Sequence, residues 1–422
     1  MIGLCRQTAA TQQTSKKFSH KVFDYLPTKT LRLVMASKST QPATSAKELT
    51  VVMTLEGHEQ PNLDDKYSYV PNPITISYAP GGKQMISGSS DKTARKWDLQ
   101  TGTEINEARI VCEKEVSAVA VSRDDRWVIT GGGNRENYYD PADVELKAWE
   151  IKTRITKTFR GHSQVVTCID ISADSKLLAS GSADETVCIW DLDTGKLMAG
   201  PFECADMVAA VRFSQDSIKL AVKSDVGKCL EVWDIQGQKL DRRIGKRDGG
   251  TVTYAPVAWT ANDKSIVAAF TFTPLLDEPK TIYEFDPSTL DTIGVPFEGH
   301  NHTVTGLALS FDCTLLATAS KDHTIKLWAF ESRHQLLASF DIHWQYPKAL
   351  ILSPDLRHLA YTTTGSDSKI YICNVPPNIL ASIRSAQDAQ STVCIHPDTF
   401  VLPALKSYCR AVHLILHPSV TY

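Results

Sequence analysis

Three segments of this chain place a hydroxyl, a carboxylate and an indole at one fixed spacing. They read MISGSSDKTARKWDLQTG (85–102), LLASGSADETVCIWDLDTG (177–195) and LLATASKDHTIKLWAF (315–330). In each, the hydroxyl precedes an Asp by four positions and a Trp follows that Asp by six: Ser87/Asp91/Trp97, Ser180/Asp184/Trp190 and Thr318/Asp322/Trp328. A Gly-His pair lies upstream of each: Gly57-His58, Gly161-His162 and Gly299-His300. Ser, His and Asp are the ingredients of a hydrolase triad, in which the imidazole takes the hydroxyl proton and the carboxylate orients the ring. A catalytic set has no reason to occur three times with a Trp attached, so the constellation reads as a structural hydrogen-bond unit.

The elements that would carry these residues recur along the chain. Weaker copies end in VELKAWE at Trp149 and CLEVWDI at Trp233; in TIYEFD, Phe285 stands where Trp would, and in KIYICNV, Cys373 does. The seven marker positions 97, 149, 190, 233, 285, 328 and 373 are 41 to 52 residues apart. Each copy holds short β-branched runs, such as Val165–Ile171, Leu177–Gly181 and Thr186–Trp190, separated by turn residues. A self-similar period of this length signals a repeat architecture. At ~150 residues per domain, 422 residues suggest about three domains; the repeat replaces them with one ring over 48–376.

These phased Gly-His…Asp…Trp sets resemble the WD40 repeat family. The likeness is closest to stand-alone propellers of filamentous fungi around 308–341 and 350–377. It implies an all-β fold, a seven-bladed propeller of four-stranded antiparallel blades. It also implies that the strand at about 48–56 closes the last blade, and that His58, Ser87, Asp91 and Trp97, with His162, Ser180, Asp184 and Trp190, and His300, Thr318, Asp322 and Trp328, form hydrogen-bonded tetrads. The blades lacking a full tetrad (2, 4, 5 and 7) are expected to lean on apolar packing.

Extra residues relative to the compact copies fall at 59–72, 131–145, 271–281 and 364–368. In the fold so implied all four open on the tetrad face. Their residues Tyr67, Tyr69, Tyr138, Tyr139, Phe272 and Leu275, with Trp344 and Tyr346 before blade 7, are candidate contacts for a protein or peptide partner, because exposed aromatics anchor interfaces. The alternative is that they pack their own loops.

The remaining chemistry is thin. No phosphate loop, dinucleotide fingerprint or zincin motif is present, and no cofactor, metal or enzymatic activity is expected. Cys394-Ile-His396 and Cys409 with His413 lack the paired-Cys spacing of structural zinc. Arg242, Arg243, Lys246 and Arg247 form a basic patch read as a solvated loop. A formal net charge of −3 argues against nucleic-acid wrapping, and no apolar run is long enough to span a bilayer. Ten Cys in 422 residues imply no disulfide framework, which fits a cytoplasmic or nuclear location.

The function expected is therefore a non-enzymatic scaffold, monomeric alone or part of a complex. Two alternatives are a sensor propeller related to fungal nucleotide-binding receptors and a cullin-RING substrate adaptor. The adaptor family carries a basic residue two positions after Trp-Asp, and here only Trp149-Glu-Ile-Lys152 approaches that pattern. Residues 1–47, with Asp24 their sole acid, read as a disordered or processed arm. Residues 377–422 read as a tail: a short helix capped by Asn378, then low order.

Overall fold

Every blade begins with a short strand, followed by a second strand of small and branched residues buried almost throughout. Such runs cannot face water on either side, so sheets of them must stack face to face. A computed structural model shows how. It describes residues 49–59, 74–105, 109–134, 144–224, 229–245, 256–272, 279–330, 335–343, 345–364 and 368–393. Seven antiparallel sheets form a seven-bladed β-propeller. In blade 3 the strands run Val166–Ile171, Leu177–Ser182, Thr186–Asp191 and Leu197–Glu203 from the innermost outward. Blades 2, 4, 5 and 6 repeat this order. In blade 1, two short segments, Thr103–Glu104 and Ile110–Val111, both pair with the third strand, Thr93–Asp98.

Blade 7 is assembled from both ends of the ring. Its inner three strands are Pro347–Leu352, His358–Thr363 and Ile370–Asn374; its outer strand is Val51–Leu55, antiparallel to the third. This closure hides two edges that would otherwise template aggregation.

The core lies in the seams between blades. Trp127, Ile129, Leu178 and Trp190 fill the seam between blades 2 and 3, and Val187, Phe202, Val222 and Trp233 the one between 3 and 4. Five further clusters fill the other five seams. A channel of about 470 Å³ runs down the centre, lined by the innermost strands of all seven blades.

Helix α1 (Pro377–Val393) follows the third strand of blade 7. Its first turn bonds the amides of Ile379 and Leu380 to the Pro376 carbonyl, so Asn378 lies inside the helix rather than at its cap. Pro377 suits the first helical position, where no amide proton is needed. Ile379 and Ile383 are buried in the seam between blades 6 and 7, beside Leu49.

The turns between first and second strands carry a device not singled out in the sequence. Ser122, Ser172, Ser214, Ser310 and Ser353 each donate to an Asp two residues on, at 2.5 to 2.7 Å. Each also accepts the amide five residues on, at 2.8 or 2.9 Å. This S-x-D pattern closes five turns and keeps that end of the ring short.

Candidate functional site

The three tetrads form. In blade 3, Trp190 Nε1 donates to Ser180 Oγ at 2.8 Å, and His162 Nε2 lies 2.8 Å from the same hydroxyl. His162 Nδ1 is 3.0 Å from Asp184 Oδ2, which also accepts the Ser163 amide at 2.8 Å. The other carboxylate oxygen accepts the Thr186 amide and hydroxyl at 3.0 and 2.6 Å. Blade 1 repeats this with Trp97 to Ser87 at 2.8 Å, His58 to Ser87 at 2.7 Å and His58 to Asp91 at 2.8 Å. In blade 6, Trp328 to Thr318 is 2.9 Å, His300 to Thr318 is 2.8 Å and His300 to Asp322 is 2.9 Å. The glycine before the His has a local cause in each case: a Cβ on Gly161 would stand 2.8 Å from the Trp190 ring, and Gly57 and Gly299 take φ of 156° and 148°, which side chains rarely adopt.

This relay has the order of a hydrolase triad, but Ser87, Ser180 and Thr318 are all 0% exposed and already hold an indole proton. A hydroxyl so enclosed cannot reach a substrate carbonyl. The chemistry it performs is to satisfy a buried Trp, the one N–H that ring offers.

The electrostatics match. Burial pushes the Asp91 and Asp184 carboxyls up, but the His bonds and charge, the Thr hydroxyls and the loop amides outweigh it and hold both at about 2. Asp322 is held lower still by the equivalent partners. Burial works against the His162 imidazolium; bonding to Asp184 and Cys188 overcomes it and raises the ring to about 9.

The incomplete blades do not rest on apolar packing alone. In blade 2, Trp149 Nε1 donates to Thr130 Oγ1 at 3.0 Å. In blade 4, Trp233 Nε1 donates to Glu231 Oε2 at 3.0 Å. Glu231 is 0% exposed and also accepts the Ala205 amide at 2.9 Å and Arg243 Nε at 2.7 Å. Arg242 and Arg243 therefore sit on the outer strand Lys239–Ile244, not in a loop, and Arg243 is committed inward. Lys246 and Arg247 lie outside the described residues, as do Cys394, His396, Cys409 and His413.

Of the partner-contact candidates, Phe272 is 52% exposed and packs edge-on against Phe270 and Tyr283, with ring centres 4.9 and 5.2 Å away. Tyr346 is half-buried, its ring edge-on to His323 across the blade 6–7 seam at 6.2 Å. Tyr67, Tyr69, Tyr138, Tyr139, Leu275 and Trp344 lie outside the described residues. The connections that carry them leave Leu55, Gly133, Phe270 and Asp341 at the end of the ring that holds the tetrad His and Asp. The connection 245–256, from Ile244 to Val257, opens at the same end and is also long, which adds a fifth long connection to the four that the repeat spacing marks. Among the described residues, no group of three or more His, Cys, Asp or Glu is placed to hold a metal. No helix among them is long and apolar enough to cross a membrane.

The family model for the WD domain, G-beta repeat, matches residues 49–98, 153–191 and 291–329. Each matched segment ends on the Trp strand of a blade with a complete tetrad. The chain is a WD40-repeat protein. Among similar proteins, eukaryotic translation initiation factor 3 subunit I of Bombyx mori is 29% identical over 219 residues, covering 50% of this chain and 63% of that one. The Neurospora crassa protein of the same name is 33% identical over 182 residues, covering 40% and 49%. The guanine nucleotide-binding protein subunit beta of Arabidopsis thaliana is 23% identical over 283 residues, covering 63% and 71%. The chain thus spans less than two thirds of the length of the first two relatives.

Proposed function

We propose that this WD40 propeller is a non-enzymatic scaffold, a subunit that offers the tetrad end of its ring to a protein or peptide partner. The observation that carries this reading is the uneven distribution of chain length. The connections 56–74, 134–143, 245–256, 271–280 and 364–369 all open at the tetrad end. At the opposite end, turns such as 122–126, 172–176 and 310–314 are short and locked by the S-x-D bonds. Long connections on a rigid frame are where binding residues concentrate. All three of the similar proteins described above are named as subunits, which fits a chain that works inside an assembly. A cytoplasmic or nuclear location fits the free thiols among the described cysteines.

Affinity capture with the full chain, followed by identification of what co-purifies, tests the proposal. Changing Tyr138 and Tyr139 to Ala should release the partner and leave the melting temperature unchanged. Full capture by this variant, or a lowered melting temperature that accounts for the loss, counts against this face.

A further inference from the structure

Lys223 is a buried amine with no carboxylate partner among the described residues. It lies on the second strand of blade 4 (Lys219–Ser224), is 0% exposed, and stands where blades 1 and 3 carry Gly88 and Gly181. In blade 3, a Cβ on Gly181 would meet Val208 of the next blade at 2.4 Å, so a long side chain there is excluded. The innermost strand that faces Lys223 across the seam, in blade 5, is Val257–Trp259, preceded by Pro256. Lys223 crosses the seam. Its Nζ donates to the Ala269 carbonyl on the second strand of blade 5 and lies 5.7 Å from the centre of the Phe270 ring.

The ladder of blade 5 shows why that carbonyl is available. The Thr260 amide donates to the Ser265 carbonyl, and the register continues inward as Trp259↔Ile266, Ala258↔Val267 and Val257↔Ala268. Bonded and non-bonded pairs alternate in an antiparallel ladder. The next bonded position is therefore Pro256 opposite Ala269, as Ala210 stands opposite Lys223 in blade 4. Proline has no amide proton to give. Among the described residues, the donor that meets the Ala269 carbonyl is the Lys223 side chain.

We propose that Lys223 is a latch across the seam between blades 4 and 5, its Nζ supplying to the Ala269 carbonyl the hydrogen bond that Pro256 withholds. A side-chain donor on a four-carbon stem thereby replaces a rung of the sheet. The seam it holds lies between the connections 245–256 and 271–280, both on the proposed partner end. The groups facing Lys223 among the described residues are, on its own blade, Cys229, and on blade 5 the Ala269 carbonyl and the Phe270 ring. Of these only Cys229 titrates, and the latch is a bond to a carbonyl.

A double-mutant cycle on the full chain tests it. Lys223→Met keeps the stem and removes the donor; Pro256→Ala restores the backbone amide. The latch requires Lys223→Met to lower the melting temperature by several degrees in the natural chain, and by clearly less when Pro256→Ala is present. If Lys223→Met alone does not fold while the double variant does, the proposal stands on that rescue. Equal losses in both backgrounds, or failure of both variants to fold, overturn it.

Discussion

Trp233 gives its indole proton to Glu231, two residues earlier on the same strand, at 3.0 Å. In blades 1, 3 and 6 the corresponding proton goes to a hydroxyl on the adjacent strand. One carboxylate thus serves blade 4 where other blades use four residues, and it ties in the Ala205 amide and Arg243 as well. Glu231→Ala leaves three donors without an acceptor and should cost about 3–5 kcal/mol in urea denaturation. Glu231→Gln keeps an acceptor oxygen and should cost less. A loss below ~1 kcal/mol for the alanine variant contradicts this role.

The tetrads predict an order of losses. Asp184→Ala strips the partner from the Ser163 amide and from the Thr186 amide, leaves His162 Nδ1 and the Thr186 hydroxyl only each other, and should cost about 2–4 kcal/mol. Trp190→Phe removes one donor from Ser180, which keeps His162, so its cost should be about 1–2 kcal/mol. Trp149→Phe should cost least, because Trp149 is only half-buried and bonds Thr130 outside any His-Asp relay. Melting curves of the three variants read the order directly, and a Trp149 variant as damaging as the Asp184 one contradicts it.

Most of the ring was legible because its signals are periodic. Ser180, Asp184 and Trp190 recur in phase with Ser87, Asp91 and Trp97, and a repeated spacing identifies a unit even when each residue alone is ambiguous. Glu231 and Lys223 were not legible. Each satisfies a partner brought near only by folding, Trp233 and Arg243 in one case and the Ala269 carbonyl in the other. The S-x-D turns did carry a signal, five Ser–Asp pairs between first and second strands, but it serves local backbone closure and has no distinctive residue such as Trp to mark it.

Stability should fall in acid through the tetrad aspartates. Asp91 and Asp184 are held at about 2 against an ordinary 3.8, so the folded state holds fewer protons than the unfolded one between those values. Their contribution is present above about pH 4 and is lost as pH drops through about 2, roughly 2 kcal/mol for each. Asp91→Asn with Asp184→Asn should flatten that acid limb in urea titrations between pH 2 and pH 5. An unchanged limb would falsify the assignment.

The alkaline side holds two opposed effects. His162, raised to about 9, contributes stability below pH 6.5 that is lost as pH rises through 9; this is the same ion pair already counted at Asp184. Lys223 is lowered from 10.5 to about 7 because burial penalises its charge, with Cys229 acting weakly the other way. There the unfolded chain holds the extra proton between about 7 and 10.5, so the Lys223 contribution rises with pH. The gap in stability between the natural chain and Lys223→Met should therefore widen from pH 6.5 to pH 9. A constant gap is the contrary result.

Ring closure gives the sharpest test of the architecture. Val51, Met53, Thr54 and Leu55 pair with Cys373, Ile372, Tyr371 and Ile370, and the Asn374 amide donates to the Thr50 carbonyl at 3.1 Å. Leu55, 1% exposed, fills the seam between blades 7 and 1; Leu49 fills the one between 6 and 7 beside Ile379 and Ile383 of α1. Removing residues 48–56 uncovers the edge of Ile370–Asn374 and empties part of two seams at once, so the remaining chain should aggregate. Removing residues 1–45 touches none of these contacts and should leave a soluble chain with an unchanged melting temperature. Size-exclusion chromatography and melting of the two truncations decide it, and a soluble, cooperatively melting 57–422 fragment means that this strand does not close the ring.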